Sequence, residues 1–137
     1  MNQERRTIEN LWPEATVYPE QELTQRILEA AFAVHNALGA GFLEKVYENA
    51  LLIELRQMGI EANSQAPLKV KYKGAVVGDY QADLLVEGRV LLELKACSVL
   101  EPNHEAQLMN YLRASGLKVG LLLNFGRPRL QYKRFVC

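Results

Sequence analysis

The sequence predicts an α/β fold with a mixed central sheet flanked by helices, and three observations lead there. Two stretches of helical periodicity open the ordered part of the chain, three strand-like segments follow, and one further helical stretch separates the third strand from the next apolar run. Strands joined by short turns pair antiparallel, whereas a helix between two strands makes a right-handed parallel crossover. The order is α-α-β-β-β-α-β-β, which makes the sheet mixed.

Residues 1 to about 20, with Pro13 and Pro19 and no sustained periodicity, read as an extended N-terminal arm, leaving 21 to 137 as one domain. From Glu22 to Leu38 the apolar positions Ile27, Leu28, Ala31, Val34 and Leu38 recur at helical spacing, with Thr24 as a candidate cap. Gly39-Ala40-Gly41 ends that helix. A second helix spans about Leu43 to Met58, with Val46, Tyr47, Ala50, Leu51 and Leu55 as its apolar stripe and Gly59 as its stop. The first strand, about Glu61 to Lys73, is expected to break or bend near Pro67, and Lys69, Lys71 and Lys73 alternate with Leu68, Val70 and Tyr72. Gly74 turns the chain into strands of about Asp79 to Val86 and Arg89 to Ala96. Pro102-Asn103 opens a helix from about His104 to Ala114, closed by Gly116. Lys118 to Phe125 reads as a buried strand and Leu130 to Val136 as a shorter last one.

At 137 residues, 49% hydrophobic, the chain suits one domain with a real core. No segment approaches the roughly 20 apolar residues that span a bilayer, and Met1 to Arg6 lacks the apolar stretch of a secretory signal, so no membrane association and a cytoplasmic location are expected. Cys97 and Cys137 are too few for a disulfide framework and read as free thiols. Net charge is zero, yet residues 62 to 137 hold eleven basic and six acidic side chains, an excess of five positive charges. Lys69, Lys71 and Lys73 on one strand and Arg127, Arg129, Lys133 and Arg134 near the C-terminus could track a phosphate backbone. Alternating lysines also serve as ordinary solvated strand residues and as edge protection.

Charges interrupt two strands that otherwise read as core: Asp83 within Ala82 to Val86, and Glu93 and Lys95 within Val90 to Ala96. Burying an unpaired charge costs several kcal/mol, so such placement points to metal, substrate or pairing. With Val86-Glu87-Gly88 as a three-residue loop and Gly88 in its left-handed position, Leu85 pairs with Arg89 and Asp83 with Leu91, one step diagonal from Glu93. Asp83, Glu93 and Lys95 then share a face. A two-residue loop at Glu87-Gly88 would put Asp83 on the opposite face.

Gly41-Phe42-Leu43-Glu44-Lys45-Val46-Tyr47 spells Gly-x-x-Glu-x-x-Tyr. Together with Asp83, Glu93-Leu94-Lys95 and Gln107-Leu108-Met109-Asn110-Tyr111, it resembles the GxxExxY family of the PD-(D/E)XK nuclease-like superfamily over about residues 24 to 136. The last element is similar to the Gln-x-x-x-Tyr helix of RecB-like nucleases. The resemblance implies a restriction-endonuclease-like core and a metal-dependent nuclease acting on DNA rather than RNA, with Asp83 and Glu93 as ligands of Mg²⁺ or Mn²⁺. That assignment agrees with the preference of hard cations for carboxylate and carbonyl oxygens, and the Leu94 carbonyl could add a third ligand. Lys95 would orient the attacking water or neutralise charge developing on phosphorus. Glu44 could reach the metal through water or hold the edge of the site, and Glu48, one turn on, could take that place instead. Gln107 and Tyr111 would hydrogen-bond the phosphate or the scissile nucleotide.

Plainer readings accompany these. The acidic trio could be a structural salt bridge, the Gln107–Tyr111 helix an ordinary amphipathic one, and Tyr47 a core residue. His35, His104, Cys97 and Cys137 have no zinc-ligand spacing, and Cys97 has no partners for thiol hydrolysis. The competing function is a nuclease-fold module that binds nucleic acid or a protein partner, with weak or no cleavage. At 137 residues little room is expected for a separate DNA-recognition domain, so sequence specificity would come from loops, a homodimer or a protein partner.

Overall fold

A computed structural model describes residues 19–137; the expected N-terminal arm lies outside these residues apart from Pro19 and Glu20, which form a turn. The elements are α1 (Gln21–Leu38), α2 (Glu44–Gln57), β1 (Ala62–Tyr72), β2 (Ala75–Val86), β3 (Val90–Lys95), α3 (Pro102–Ser115), β4 (Val119–Asn124) and β5 (Gln131–Val136). This is the order expected from the sequence.

The sheet runs β1-β2-β3-β4-β5 in space, antiparallel throughout except for the parallel β3–β4 pair that α3 connects. Alternation divides β3 and β4 between two cores, while β2 changes face between Ala82 and Leu84. Leu84, Leu92, Leu94, Leu121 and Leu123 pack with Ile27, Ala31, Tyr47 and Leu51 of α1 and α2. Ala82, Leu91 and Leu122 pack with Leu108, Tyr111 and Leu112 of α3 on the opposite face. Gly120 lets α3 come close, because a Cβ there would stand 2.9 Å from a Leu108 methyl.

Local details depart from expectation. Thr24 lies inside α1, where its Oγ1 donates to the Gln21 carbonyl at 3.0 Å, and the N-cap position is Glu20. Val46 is not on the buried stripe of α2; it is 38% exposed. Pro67 does not break β1, since it keeps its place opposite Gln81, and the register slips instead between Val70 and Lys71. An edge strand tolerates proline because one side of its backbone needs no ladder partner. Lys73 is not on a strand face either. It forms the β1–β2 turn with Gly74, both at positive φ, as a two-residue hairpin loop requires.

The β2–β3 loop corrects the expected pairing. Leu85 stands opposite Leu91 and Val86 opposite Val90, so the loop is Glu87-Gly88-Arg89 and the register lies one residue further along each strand. The Arg89 N–H donates to the Val86 carbonyl at 2.9 Å, and Glu87 and Gly88 both have positive φ (53° and 65°). Glu87 tolerates this while its carboxylate accepts from the Glu61 N–H at 2.7 Å. The loop still has three residues, so side-chain parity is preserved and Asp83 comes level with Glu93 instead of diagonal to it.

Candidate active site

The site begins where two ladders fail. Pairing of β2 with β3 stops at Leu84–Leu92, and pairing of β1 with β2 skips from Ser64–Leu84 to Ala66–Ala82, leaving Asp83 outside both. Gln65 across from it has φ 52°. Interior backbone donors must still be satisfied, and here carboxylates do it. The Asp83 N–H donates to Glu93 Oε2 at 3.0 Å, while the Leu94 N–H donates to Asp83 Oδ2 at 2.8 Å. Each acid holds a backbone group of the other's strand.

This clasp places both carboxylates on the α3 face. Glu93 is 4% exposed. Burial, and then the charge of Asp83, pushes its carboxyl up to about 8, outweighing the Asp83 N–H bond and the Lys95 ammonium, which act downward. Asp83 is also raised, first by burial and then by Glu48 and Glu44, against the Leu94 N–H and Lys95. Lys95 is half-buried and lowers both acids, yet among the described residues it makes no ion pair within 4.0 Å. A direct salt bridge therefore does not hold the trio.

From the other side, α2 contributes Glu48, which is buried. It accepts from Lys45 Nζ at 2.9 Å and from Gln65 Nε2 at 3.1 and 3.2 Å. Glu44, one turn earlier, is exposed; it influences both Asp83 and Glu93. Tyr47 is fully buried, its ring stacked 4.7 Å from Phe125, its hydroxyl donating to the Gly39 carbonyl at 2.5 Å and accepting from the Phe42 N–H at 3.2 Å. The Tyr of the Gly-x-x-Glu-x-x-Tyr motif thus ties the α1–α2 loop to the head of α2 and fixes where Glu44 and Glu48 emerge.

On α3, Gln107 Nε2 donates to the Tyr111 hydroxyl at 3.0 Å. Burial and then the charges of Glu93 and Asp83 raise Tyr111, which places its phenol in the field of the acidic pair. The structure therefore brings Asp83, Glu93, Lys95, Gln107 and Tyr111 to one face, with Glu44 and Glu48 at its margin. Sequence reasoning passed over Gln65, whose side-chain amide holds Glu48, and Tyr80, whose ring lies 5.8 Å from that of Tyr111. Nothing local marked Gln65; strict alternation from Leu84 back to Tyr80 could have put Tyr80 on the opposite face from Asp83, and only α3 packing shows its neighbour.

The histidines and cysteines are spent elsewhere. His35 Nε2 bonds the Arg127 carbonyl, His104 Nδ1 accepts from the Glu101 N–H at the head of α3, and Cys97 Sγ lies 3.2 Å from the Val99 carbonyl. Among the described residues no three His, Cys, Asp or Glu side chains gather as a metal cluster. Two carboxylates remain, and the Leu94 carbonyl accompanies them: its N–H points toward β2, and both polar groups of an extended residue project to the same side. That donor set fits Mg²⁺, which binds through one or two carboxylates and keeps several waters.

The model of the PD-(D/E)XK nuclease superfamily matches residues 21–135. The chain belongs to that superfamily. Among solved structures, the PD-(D/E)XK fold of this chain is similar to that of SSO0001, with a TM-score of 0.52 and 19% identity over 85% of this chain and 58% of the other. It is also similar to an alkaline exonuclease, LHK-Exo, from Laribacter hongkongensis, with a TM-score of 0.50 and 12% identity over 82% of this chain and 69% of that one. The chain thus spans little more than half the length of SSO0001. No curated protein matches. PD-(D/E)XK nucleases generally use divalent metals. No helix among the described residues is long and apolar enough to cross a membrane.

Proposed function

We propose that this PD-(D/E)XK protein is of the GxxExxY type and hydrolyses phosphodiester bonds, DNA in preference to RNA, with Mg²⁺ or Mn²⁺ held by Asp83, Glu93 and the Leu94 carbonyl. The reciprocal clasp of Asp83 and Glu93 carries this reading. It holds two acids face to face, with no lysine ion-paired to either among the described residues, while burial and then the charge of Asp83 push the Glu93 carboxyl up to about 8, an arrangement that a divalent cation would relieve. Ala82 stands before Asp83 where the superfamily's name has proline.

A divalent ion bound there supplies Lewis acidity to a phosphoryl oxygen and eases ionisation of the attacking water. The chain's own groups do the rest. Lys95, on the same face as Glu93 and in no ion pair within 4.0 Å among the described residues, orients that water and offsets charge growing on phosphorus. Gln107 holds the Tyr111 hydroxyl, whose proton is available to a phosphate oxygen. Glu48, braced by Gln65 and Lys45, and Glu44 keep the α2 side of the site negative and hold water there.

Calorimetric titration of Mn²⁺ into wild type and Asp83→Ala, alongside cleavage of labelled DNA and RNA, tests the proposal. Metal uptake and cleavage that are both lost in Asp83→Ala are expected. Wild-type protein that binds no Mn²⁺ and cleaves neither polymer would overturn it.

A further inference from the structure

On the α3 face a groove of about 1100 Å³ runs between α3 and the outer half of the β1–β2 hairpin. Its lining includes Lys69, Lys71, Tyr80, Gln107, Tyr111 and Arg113. Three of the lining residues are cations, and none is acidic. Lys69 reaches Asp79 at 3.2 Å, but these side chains are 52% and 66% exposed, where an ion pair is weak and readily exchanged. Lys71 makes no ion pair within 4.0 Å among the described residues. Arg113 donates to Asn110 Oδ1 on its own helix, a neutral partner that leaves its charge uncompensated.

Tyr80 is 49% exposed although its ring rests beside Tyr111. Tyr111 in turn packs in one core with Ala82 and Leu91, which neighbour Asp83 and Glu93 on their strands, so exposed cations and an exposed aromatic share a groove with a side chain that lies beside the acidic strands. In a duplex the base faces are stacked out of reach, and an aromatic in a basic channel gains contact only with bases whose faces are free.

We propose that the groove holds one unpaired strand of nucleic acid, its phosphates on Lys71 and Arg113 and a base stacked on Tyr80, and feeds it past Tyr111 to Asp83 and Glu93. The direction of feeding rests on the nuclease reading above; the binding does not. An enzyme built this way acts on single-stranded segments or frayed ends, where base faces are free to stack.

Fluorescence anisotropy of the intact chain in EDTA, with labelled oligothymidylate, oligouridylate and a duplex of equal length, tests the groove without cleavage. The single strands should bind more tightly than the duplex, with preference between thymidylate and uridylate telling DNA from RNA. Tyr80→Leu should weaken single-strand binding by about 5- to 100-fold and leave the duplex unchanged, while Tyr80→Phe restores it. Lys71→Gln should lower the slope of log affinity against log salt by about 0.7, the value for one phosphate contact on a single strand. Lys71 is exposed, so that variant decides the matter even if Tyr80→Leu fails to fold. Duplex binding equal to single-strand binding, no binding to either, or a slope unmoved by Lys71→Gln would overturn the proposal. Cleavage of duplex without single-strand preference would remove the groove and leave the nuclease; single-strand binding in EDTA with no cleavage in any metal would do the reverse.

Discussion

Replacing Glu93 by glutamine should stabilise the metal-free protein, and increasingly so as pH rises. The carboxyl of Glu93 sits at about 8 in the folded chain against an ordinary 4.5. An acid raised in this way contributes stability that is complete below the unfolded value, near 4.5, and is lost as pH climbs through the folded value, near 8. Each pH unit in that window is worth up to about 1.4 kcal/mol, which sets a ceiling of about 5 kcal/mol at pH 8. Relaxation of the pair and water entry reduce this, and a gain of about 2 to 3 kcal/mol for Glu93→Gln at pH 8 is expected. The amide oxygen can still accept the Asp83 N–H, so the clasp survives. Urea unfolding followed by circular dichroism, at pH 5 and pH 8 in EDTA, measures the difference. Mn²⁺ at about a hundredfold over its dissociation constant should then restore about 2.7 kcal/mol to wild type and almost nothing to the variant. A wild type whose stability relative to Glu93→Gln does not change between pH 5 and pH 8 would refute the buried-acid reasoning, as would equal stabilisation of both by Mn²⁺.

Three further outcomes follow from the same geometry. Lys95→Met should leave Mn²⁺ affinity intact or slightly tighter, since a competing cation is gone, while single-turnover cleavage falls by roughly 100-fold or more; cleavage at the wild-type rate would remove Lys95 from the chemistry. Tyr47→Phe keeps the ring on Phe125 but loses the bonds to Gly39 and Phe42, which should cost about 1 to 2 kcal/mol in urea unfolding and leave Mn²⁺ affinity unchanged. Gly88→Val forces a β-branched residue to φ 65°, a strain of about 1 to 3 kcal/mol that thermal unfolding should register.

Much of this protein was legible in its sequence because periodicity is a local property. Helical spacing marked α1, α2 and α3, and alternation with short turns marked the strands, since burial of one face is written directly into residue order. The shared face of Asp83 and Glu93 was legible too, because an odd loop preserves parity whichever three residues form it. The actual register was not: Val86-Glu87-Gly88 and Glu87-Gly88-Arg89 are both three-residue loops of the same parity, so alternation cannot tell them apart, and the fold has Val86 opposite Val90 with the Glu87 carboxylate on the Glu61 N–H. Nor could the sequence show that Asp83 drops out of both ladders and that each carboxylate satisfies the other strand's backbone, or that Gln65 turns left-handed to brace Glu48. The groove likewise required the tertiary fold, because Lys71 and Arg113 lie 42 positions apart and meet only when α3 crosses the β1–β2 hairpin. Spacing along the chain determined which side chains could share a face; only packing between distant segments decided which of them met.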